Sequence, residues 1–270
     1  MIRPYAEVIG DPIAHSKSPI IHKFWLAELG IDADYLKTHV TAADLPAHIE
    51  ERRADPNWRG ANITIPHKLA VMDLVEDPGG VHDSIGAMNT LVRRPDGSVF
   101  GTNTDAGGFY APIAGLDLAG QPIIVVGTGG AARAVLFALS RCNVGPVTLL
   151  ARTPLKGAAL LARFGLKGKV LPLTASLPPA VLLVNATSLG MVGQPPLMLD
   201  LSPLPDTAVV YDVVYAPLET PLLAAARARD LDTVDGLEML IGQAAAAFEI
   251  FFDAAPPRGH DDELRALLTA

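Results

Sequence analysis

The sequence predicts an α/β protein of two domains, one of them a doubly wound parallel sheet. Three observations carry this. Short apolar runs alternate with stretches of helical periodicity along most of the 270 residues, the pattern of βαβ units. One run, Pro122-Ile-Ile-Val-Val126, is continuously apolar, as a strand buried on both faces is. The length exceeds what one average domain uses, and 50% hydrophobic with 19% charged residues is an ordinary globular composition.

The elements follow in order. Tyr5 to Ile9 reads as a strand ended by Gly10-Asp11-Pro12. Pro19 to Leu29 has apolar residues on one helical face, with Gly30 at the position of a C-terminal cap. Tyr35 to Val40 is the second strand, Leu45 to Arg53 a helix, and Ala61 to Ile65 a third strand closed by Pro66. Met88 to Arg93 and Ser98 to Gly101 flank Pro95-Asp96-Gly97, a turn signal, and read as a hairpin. A second βα series begins with Pro122 to Val126 and the helix Ala131 to Arg141. Strands follow at Pro146 to Leu150, Val181 to Val184 and Val209 to Val213. Leu237 to Phe252 reads as one buried helix and Leu264 to Leu268 as a short last one.

Charge and composition exclude several classes. The net charge is −8, a poor match for phosphate-rich nucleic acid. All of it lies outside residues 106–236, which are slightly basic, as suits a segment holding an anionic cofactor. The single Cys142 rules out an internal disulfide framework and reads as a packed small hydrophobe. No stretch reaches a membrane span and the first residues lack an apolar signal core, so a cytoplasmic protein is expected. The seven histidines show no metal-ligand spacing, and no metal is expected.

Gly127-Thr-Gly-Gly-Ala-Ala132 is a GxGxxA string that follows an apolar strand and opens a helix. In that context Gly127 allows the tight turn, Gly129 lets the backbone approach a pyrophosphate, and the helix N-terminus faces the phosphates. The next strand ends in Ala151-Arg152-Thr153-Pro-Leu-Lys156, without the carboxylate that an NAD ribose takes. Arg152 and Lys156 suit a 2′-phosphate instead, so NADP is favoured.

Three polar clusters mark a substrate site. His15-Ser16-Lys17-Ser18-Pro19 precedes a helix; either Ser18 is the N-cap with Pro19 after it, or the two serines donate to a carboxylate. Asn62 and Thr64 share one face of a strand, with Lys68 just beyond it. Ala87-Met-Asn89-Thr90 and Gly101-Thr-Asn103-Thr104-Asp105 add amides and a carboxylate. A lysine and an aspartate meeting over an alcohol carbon can relay its proton while hydride leaves for nicotinamide.

Eight strings in register, GDPIAHSKSPIIH, GANITIPHK, GAMNTL, GTNTDAGG, VVGTGGAAR, VNATSLGM, YDVVYAP and DGLEMLIGQA, span nearly the whole chain. In this the chain resembles the shikimate dehydrogenase family. The resemblance implies reversible reduction of 3-dehydroshikimate to shikimate with NADPH, in chorismate and aromatic amino acid biosynthesis. It implies an N-terminal α/β substrate domain, residues 1–105 with 237–270, and a Rossmann-type dinucleotide-binding domain, residues 106–236. Ser16 and Ser18 would take the substrate carboxylate. Thr64, Lys68, Asn89, Asp105 and Gln243 would take ring hydroxyls, with Tyr215 alongside, and Lys68 and Asp105 would be the catalytic pair. Gly127, Thr128, Gly129, Gly130, Ala131, Arg152, Thr153 and Lys156 would hold NADP, with Thr187, Val213 and Gly236 nearby.

The chain departs from the family pattern at Ala151, where an asparagine is common, at Lys156, where arginine is usual, and at Leu69-Ala70, where many members are acidic. The runner-up expectations are a quinate/shikimate dehydrogenase using NAD(P) and a non-catalytic NADP-binding regulator. A monomer or homodimer acting on a small molecule, without nucleic acid or membrane, is expected.

Overall fold

The computed structural model describes residues 3–270. The chain folds as two compact units, one comprising residues up to Thr104 with Ile241–Ala270, the other Asp105–Leu240. No helix among the described residues is long and apolar enough to cross a membrane.

The first unit runs β1 (Tyr5–Gly10), α1 (Ser18–Glu28), β2 (Asp34–His39), α2 (Leu45–Ala54), β3 (Trp58–Ile63), α3 (Val81–Ser84), β4 (Thr90–Arg93) and β5 (Val99–Thr102). Its five-stranded sheet has the order β2-β1-β3-β4-β5. β1 lies parallel to β2 and β3, because helical crossovers join them. β4 is antiparallel to β3 and β5, because the tight turn at Pro95-Asp96-Gly97 leaves no room for a crossover. β3 begins three residues before the expected start, since Trp58 is fully buried and pairs with Tyr5.

The second unit contains α4 (Asp105–Tyr110), β6 (Ile123–Val126), α5 (Gly130–Ser140), β7 (Val147–Leu150), α6 (Pro154–Arg163), β8 (Gly168–Leu171), β9 (Leu182–Asn185), β10 (Val209–Asp212), α7 (Pro221–Arg227) and β11 (Asp232–Val234). Its strands form one parallel six-stranded sheet, ordered β11-β10-β9-β6-β7-β8. Counted within the unit from the far edge, that is 3-2-1-4-5-6, the doubly wound order with its switch point between β6 and β9. The central strands β6, β7, β9 and β10 are buried at every residue. The two edges, β8 and β11, are polar and partly exposed, and no apolar run marked them in the sequence.

α8 (Gly236–Phe252) begins in the second unit and returns the chain to the first, where α9 (Asp261–Thr269) packs beside α1. Lys17 donates through Nζ to the Leu268 carbonyl, tying the start of α1 to the end of α9. Ala247 and Phe251 of α8 pack on Ala6, Val8, Ile13 and Tyr35. Phe251 approaches so closely that a Cβ at Gly60 would lie 2.6 Å from its ring and 2.1 Å from the Leu91 carbonyl oxygen, so only glycine fits. Each large side chain buried here stabilises the unit by about 1.5–3 kcal/mol.

One buried charge sits inside this core. Glu7 on β1 has no exposure, and its carboxylate accepts from Arg52 Nε (2.8 Å), Thr38 Oγ1 (2.5 Å) and, on hydrogen bonding with His48, Nε2 (3.1 Å). Burial pushes its pKa up, but the bonds from His48, Arg52 and Thr38 outweigh that and hold it below the usual carboxylate value.

Candidate functional site

The C-terminal edge of the second unit's sheet gathers the expected cofactor residues. The ladder extends one residue past each strand: Gly127 N–H donates to the Leu150 carbonyl, Ala186 N–H to Val126, and Val213 N–H to Asn185. Gly127 then turns with φ +112°, where a Cβ would meet Thr187 Cγ2 at 2.7 Å and the Ala186 carbonyl oxygen at 3.0 Å. Gly129, by contrast, has open space where its Cβ would point. The backbone at Gly129 is therefore open to close approach, beside the N–H groups at the start of the eleven-residue α5, where an anion would be favoured. Arg152, Thr153 and Lys156 are exposed at the end of β7 and the first turn of α6, with no carboxylate among residues 151–156. These features fit NADP: a cradle without side chains for the diphosphate, and two cations for a 2′-phosphate.

A buried network shapes the neighbouring loops. Asn185 Nδ2 donates to Asp212 Oδ1 (2.9 Å), while Thr187 Oγ1 donates to Asn185 Oδ1 (2.7 Å). Asp212 also accepts from Val214 N (3.0 Å) and Thr220 Oγ1 (2.7 Å). Burial raises the Asp212 pKa despite those bonds. The network fixes the turn that carries Thr187 and the segment that carries Val213 and Tyr215. Tyr215 is half-buried, and burial raises its pKa. Gly236 packs its α-carbon against the Val213 and Val214 carbonyls, leaving no space for a Cβ.

The first unit gathers a different set. Asn89 stands just before β4 and is 2% exposed. Its Oδ1 accepts from Thr104 N (2.7 Å) and Thr90 Oγ1 (3.1 Å). Its Nδ2 donates to Thr104 Oγ1 (2.9 Å) and to Gln243 Oε1 (3.3 Å) on α8. Residues 154 positions apart in the chain are thus joined directly. Lys68 is half-buried, and its carbonyl accepts from Met88 N (2.8 Å), next to Asn89. Thr64 is half-buried beyond the end of β3, held by Thr64 N donating to Ile9 O (3.0 Å).

Ser18 is not a helix cap. Lys17 occupies that position with helical dihedrals, because Ile20 N–H already donates to its carbonyl, and Ser18 starts the helix. Ser18 is 4% exposed, its N–H donating to Ser16 Oγ at 3.4 Å. The two serines therefore stand together.

Asn62 differs from the expectation that it points to a ligand with Thr64. It is consumed by the interior, accepting from Tyr35 OH (2.6 Å) and donating to Thr90 Oγ1 (3.2 Å). Asp105 is buried and opens α4 in the second unit, directly after Thr104. Tyr35, Thr90 and Thr104 belong to these networks without a sequence signal that gives them a role of their own. Apart from the Thr90–Asn89 bond, the hydrogen-bond partners of their side chains lie 14 or more residues away, so nothing in local spacing marks them. Among the described residues no group of three or more His, Cys, Asp or Glu is placed to hold a metal ion.

The strand order and the Gly127–Gly129 turn define a dinucleotide-binding α/β protein of the doubly wound class, with a second unit rich in uncharged donors and acceptors. The family described as shikimate dehydrogenase substrate binding domain matches residues 8–91, and the shikimate 5′-dehydrogenase C-terminal domain matches residues 236–260. A shikimate dehydrogenase (NADP(+)) from Sphingopyxis alaskensis is 70% identical over 267 residues, covering 99% of this chain and 97% of that protein. The chain belongs to the shikimate dehydrogenase family. Among solved structures, the shikimate 5-dehydrogenase of Thermus thermophilus, in complex with NADP(H) and shikimate, has TM-score 0.85 and 35% identity over 98% of this chain and 99% of its own. A quinate dehydrogenase from Corynebacterium glutamicum, in complex with NAD, has TM-score 0.84 and 28% identity over 98% and 99% of the two chains.

Proposed function

We propose that this protein is an NADP-linked shikimate dehydrogenase, interconverting 3-dehydroshikimate and shikimate. The observation that carries the reading is the pairing of two chemistries in one chain. One unit holds a buried cluster of amides and hydroxyls around Asn89 and Gln243, and Met88, the residue before Asn89, bonds the Lys68 carbonyl. The other holds a dinucleotide edge with Arg152 and Lys156 and no carboxylate among residues 151–156. The 70% identity to a curated NADP-linked relative supports it.

The chain's own residues then have these tasks. Ser16 and Ser18 donate to the substrate carboxylate without adding charge. Thr64, Asn89 and Gln243 bind ring hydroxyls, with Tyr215 beside the ring. Bound NADPH supplies the hydride. As negative charge builds on the carbonyl oxygen, the Lys68 ammonium donates its proton there, and Asp105 orients that ammonium. Such acid–base assistance contributes about 10²–10⁴ in rate, or about 3–5 kcal/mol. After the turn at Gly127, the backbone N–H groups of Thr128, Gly129, Gly130 and Ala131 would face the diphosphate, with open space at Gly129. Arg152 forks onto the 2′-phosphate, with Thr153 and Lys156 beside it, and Thr187, Val213 and Gly236 frame the nicotinamide end.

We place the enzyme in the cytoplasm, where its single thiol suits a reducing compartment, as a monomer or homodimer. The test is absorbance of reduced nicotinamide with shikimate or quinate, each with NADP⁺ or NAD⁺. Turnover chiefly with shikimate and NADP⁺ is expected. Turnover chiefly with quinate and NAD⁺ would reassign the substrate and cofactor, and silence in all four would favour a binding-only protein.

A further inference from the structure

Behind Asn89 and Gln243 lies a second row of buried polar groups. Tyr35 OH donates to Asn62 Oδ1 at 2.6 Å, Asn62 Nδ2 donates to Thr90 Oγ1 at 3.2 Å, and Thr90 Oγ1 donates to Asn89 Oδ1 at 3.1 Å. Tyr35 and Thr90 have no exposure, and Asn62 is 5% exposed. The row spans β2, β3 and β4 before it meets α8 through Gln243.

Its polarity is set by groups that cannot reverse. Thr104 N–H can only donate, so the atom of Asn89 facing it at 2.7 Å is Oδ1. The Asn89 carbonyl can only accept, so the atom of Asn62 facing it at 3.4 Å is Nδ2. Thr90 Oγ1 stands between these two amides: it accepts from Asn62 Nδ2 and donates to Asn89 Oδ1, the shorter of its two contacts beyond Asn62, the other being Thr104 Oγ1 at 3.3 Å. Asn89 Nδ2 must then face Thr104 Oγ1 and Gln243 Oε1. With its oxygen engaged, Gln243 turns its NH₂ the other way. Tyr35 closes the remote end, its ring held face to face with His22 at 3.9 Å and 5°.

We propose that Thr90 is a positioning residue, backed by Tyr35, that holds the Asn89 amide in the orientation the Thr104 N–H selects and, through it, steadies Gln243, so that the pair presents a fixed pattern of donors and acceptors to a polyol substrate. This deepens the functional reading above and rests on it. A buried threonine hydroxyl that merely filled space would be replaceable by the isosteric valine without consequence for recognition.

The test compares Thr90→Val, Thr90→Ser and Tyr35→Phe in the full-length protein. Thr90→Val is expected to raise KM for shikimate about tenfold, with KM for NADP⁺ unchanged and a smaller effect on kcat. Thr90→Ser restores the hydroxyl and is expected to return KM to within about twofold of the parent, and Tyr35→Phe to raise it about threefold. A second readout does not depend on activity: the side-chain NH₂ signals of Asn89 and Gln243 in ¹⁵N-labelled protein. They are expected to be slow to exchange in the parent and in Thr90→Ser, and averaged or fast-exchanging in Thr90→Val. An unchanged shikimate KM with unchanged NH₂ signals in Thr90→Val overturns the proposal, whatever happens to the melting temperature. A parent protein that does not turn over shikimate overturns the functional reading instead, and the NH₂ signals then decide the positioning role alone.

Discussion

His22 offers the sharpest test of the first unit's packing. Its imidazole is fully buried, stacked on Tyr35 at 3.9 Å and edge-on to Trp25 at 5.9 Å, and neither ring nitrogen has a hydrogen-bond partner. Burial pushes its pKa down from 6.5 to about 3. Between those values the unfolded chain binds a proton that the folded chain refuses, so stability falls as pH falls through that window. The slope approaches about 1.4 kcal/mol per pH unit, and the loss between pH 7 and pH 5 amounts to about 2 kcal/mol. His22→Phe keeps an aromatic ring in the stack and removes the titration. Whatever repacking costs, it is the same at both pH values and cancels in the difference. The assay is urea unfolding at pH 7 and pH 5, followed by tryptophan fluorescence. The chain's two tryptophans, Trp25 and Trp58, are both buried in the first unit, so the signal reports that unit alone. The parent should lose about 2 kcal/mol more than the variant on acidification. Equal losses would refute the claim that His22 is held neutral by burial.

Other outcomes are expected elsewhere. Glu7→Gln removes the buried charge that Arg52 and His48 face, and should destabilise the protein by about 3–5 kcal/mol in the same unfolding assay. Because the Glu7 pKa is held below its ordinary 4.5, its stabilising contribution is present above that pH and lost as the pH falls through the depressed value; the variant should lack this acid limb. Lys68→Ala should lower kcat by about 10²–10⁴ and change KM far less, as steady-state kinetics would show; a large KM rise at constant kcat would reduce Lys68 to a binding group. Arg152→Asp should move the ratio of kcat/KM values from NADP⁺ toward NAD⁺, since repulsion replaces attraction for the 2′-phosphate; an unchanged ratio would remove Arg152 from the cofactor site.

What could be read from the sequence depended on how local the signal was. β6 was legible because four consecutive buried apolar residues leave a plain mark, and the turn after it because Gly127 must adopt φ +112° beside Thr187. β8 and β11 left no mark: edge strands face solvent, so their residues need not be apolar or alternate. The serine pair was legible as a pair, but its exact relation to α1 was not. Helix starts are decided by which carbonyl first accepts, here Lys17, and not by the side chain alone.

By itself the sequence determined the buried strands and the helices with an apolar face that it marked, the dinucleotide turn, the cations after β7 and the types of polar group offered to a substrate. Each of these depends on residues within one turn or strand of each other, where propensity and spacing act directly. Only the tertiary structure decided which of those groups face inward. Asn62 and Thr90 lie 28 residues apart and Asn89 and Gln243 154 apart, yet each pair is joined by a hydrogen bond once β3, β4 and α8 come together. A buried amide is committed by whichever partners surround it, because leaving it unpaired costs more than the bond itself contributes. Partners assembled by the sheet therefore settle which way each amide points.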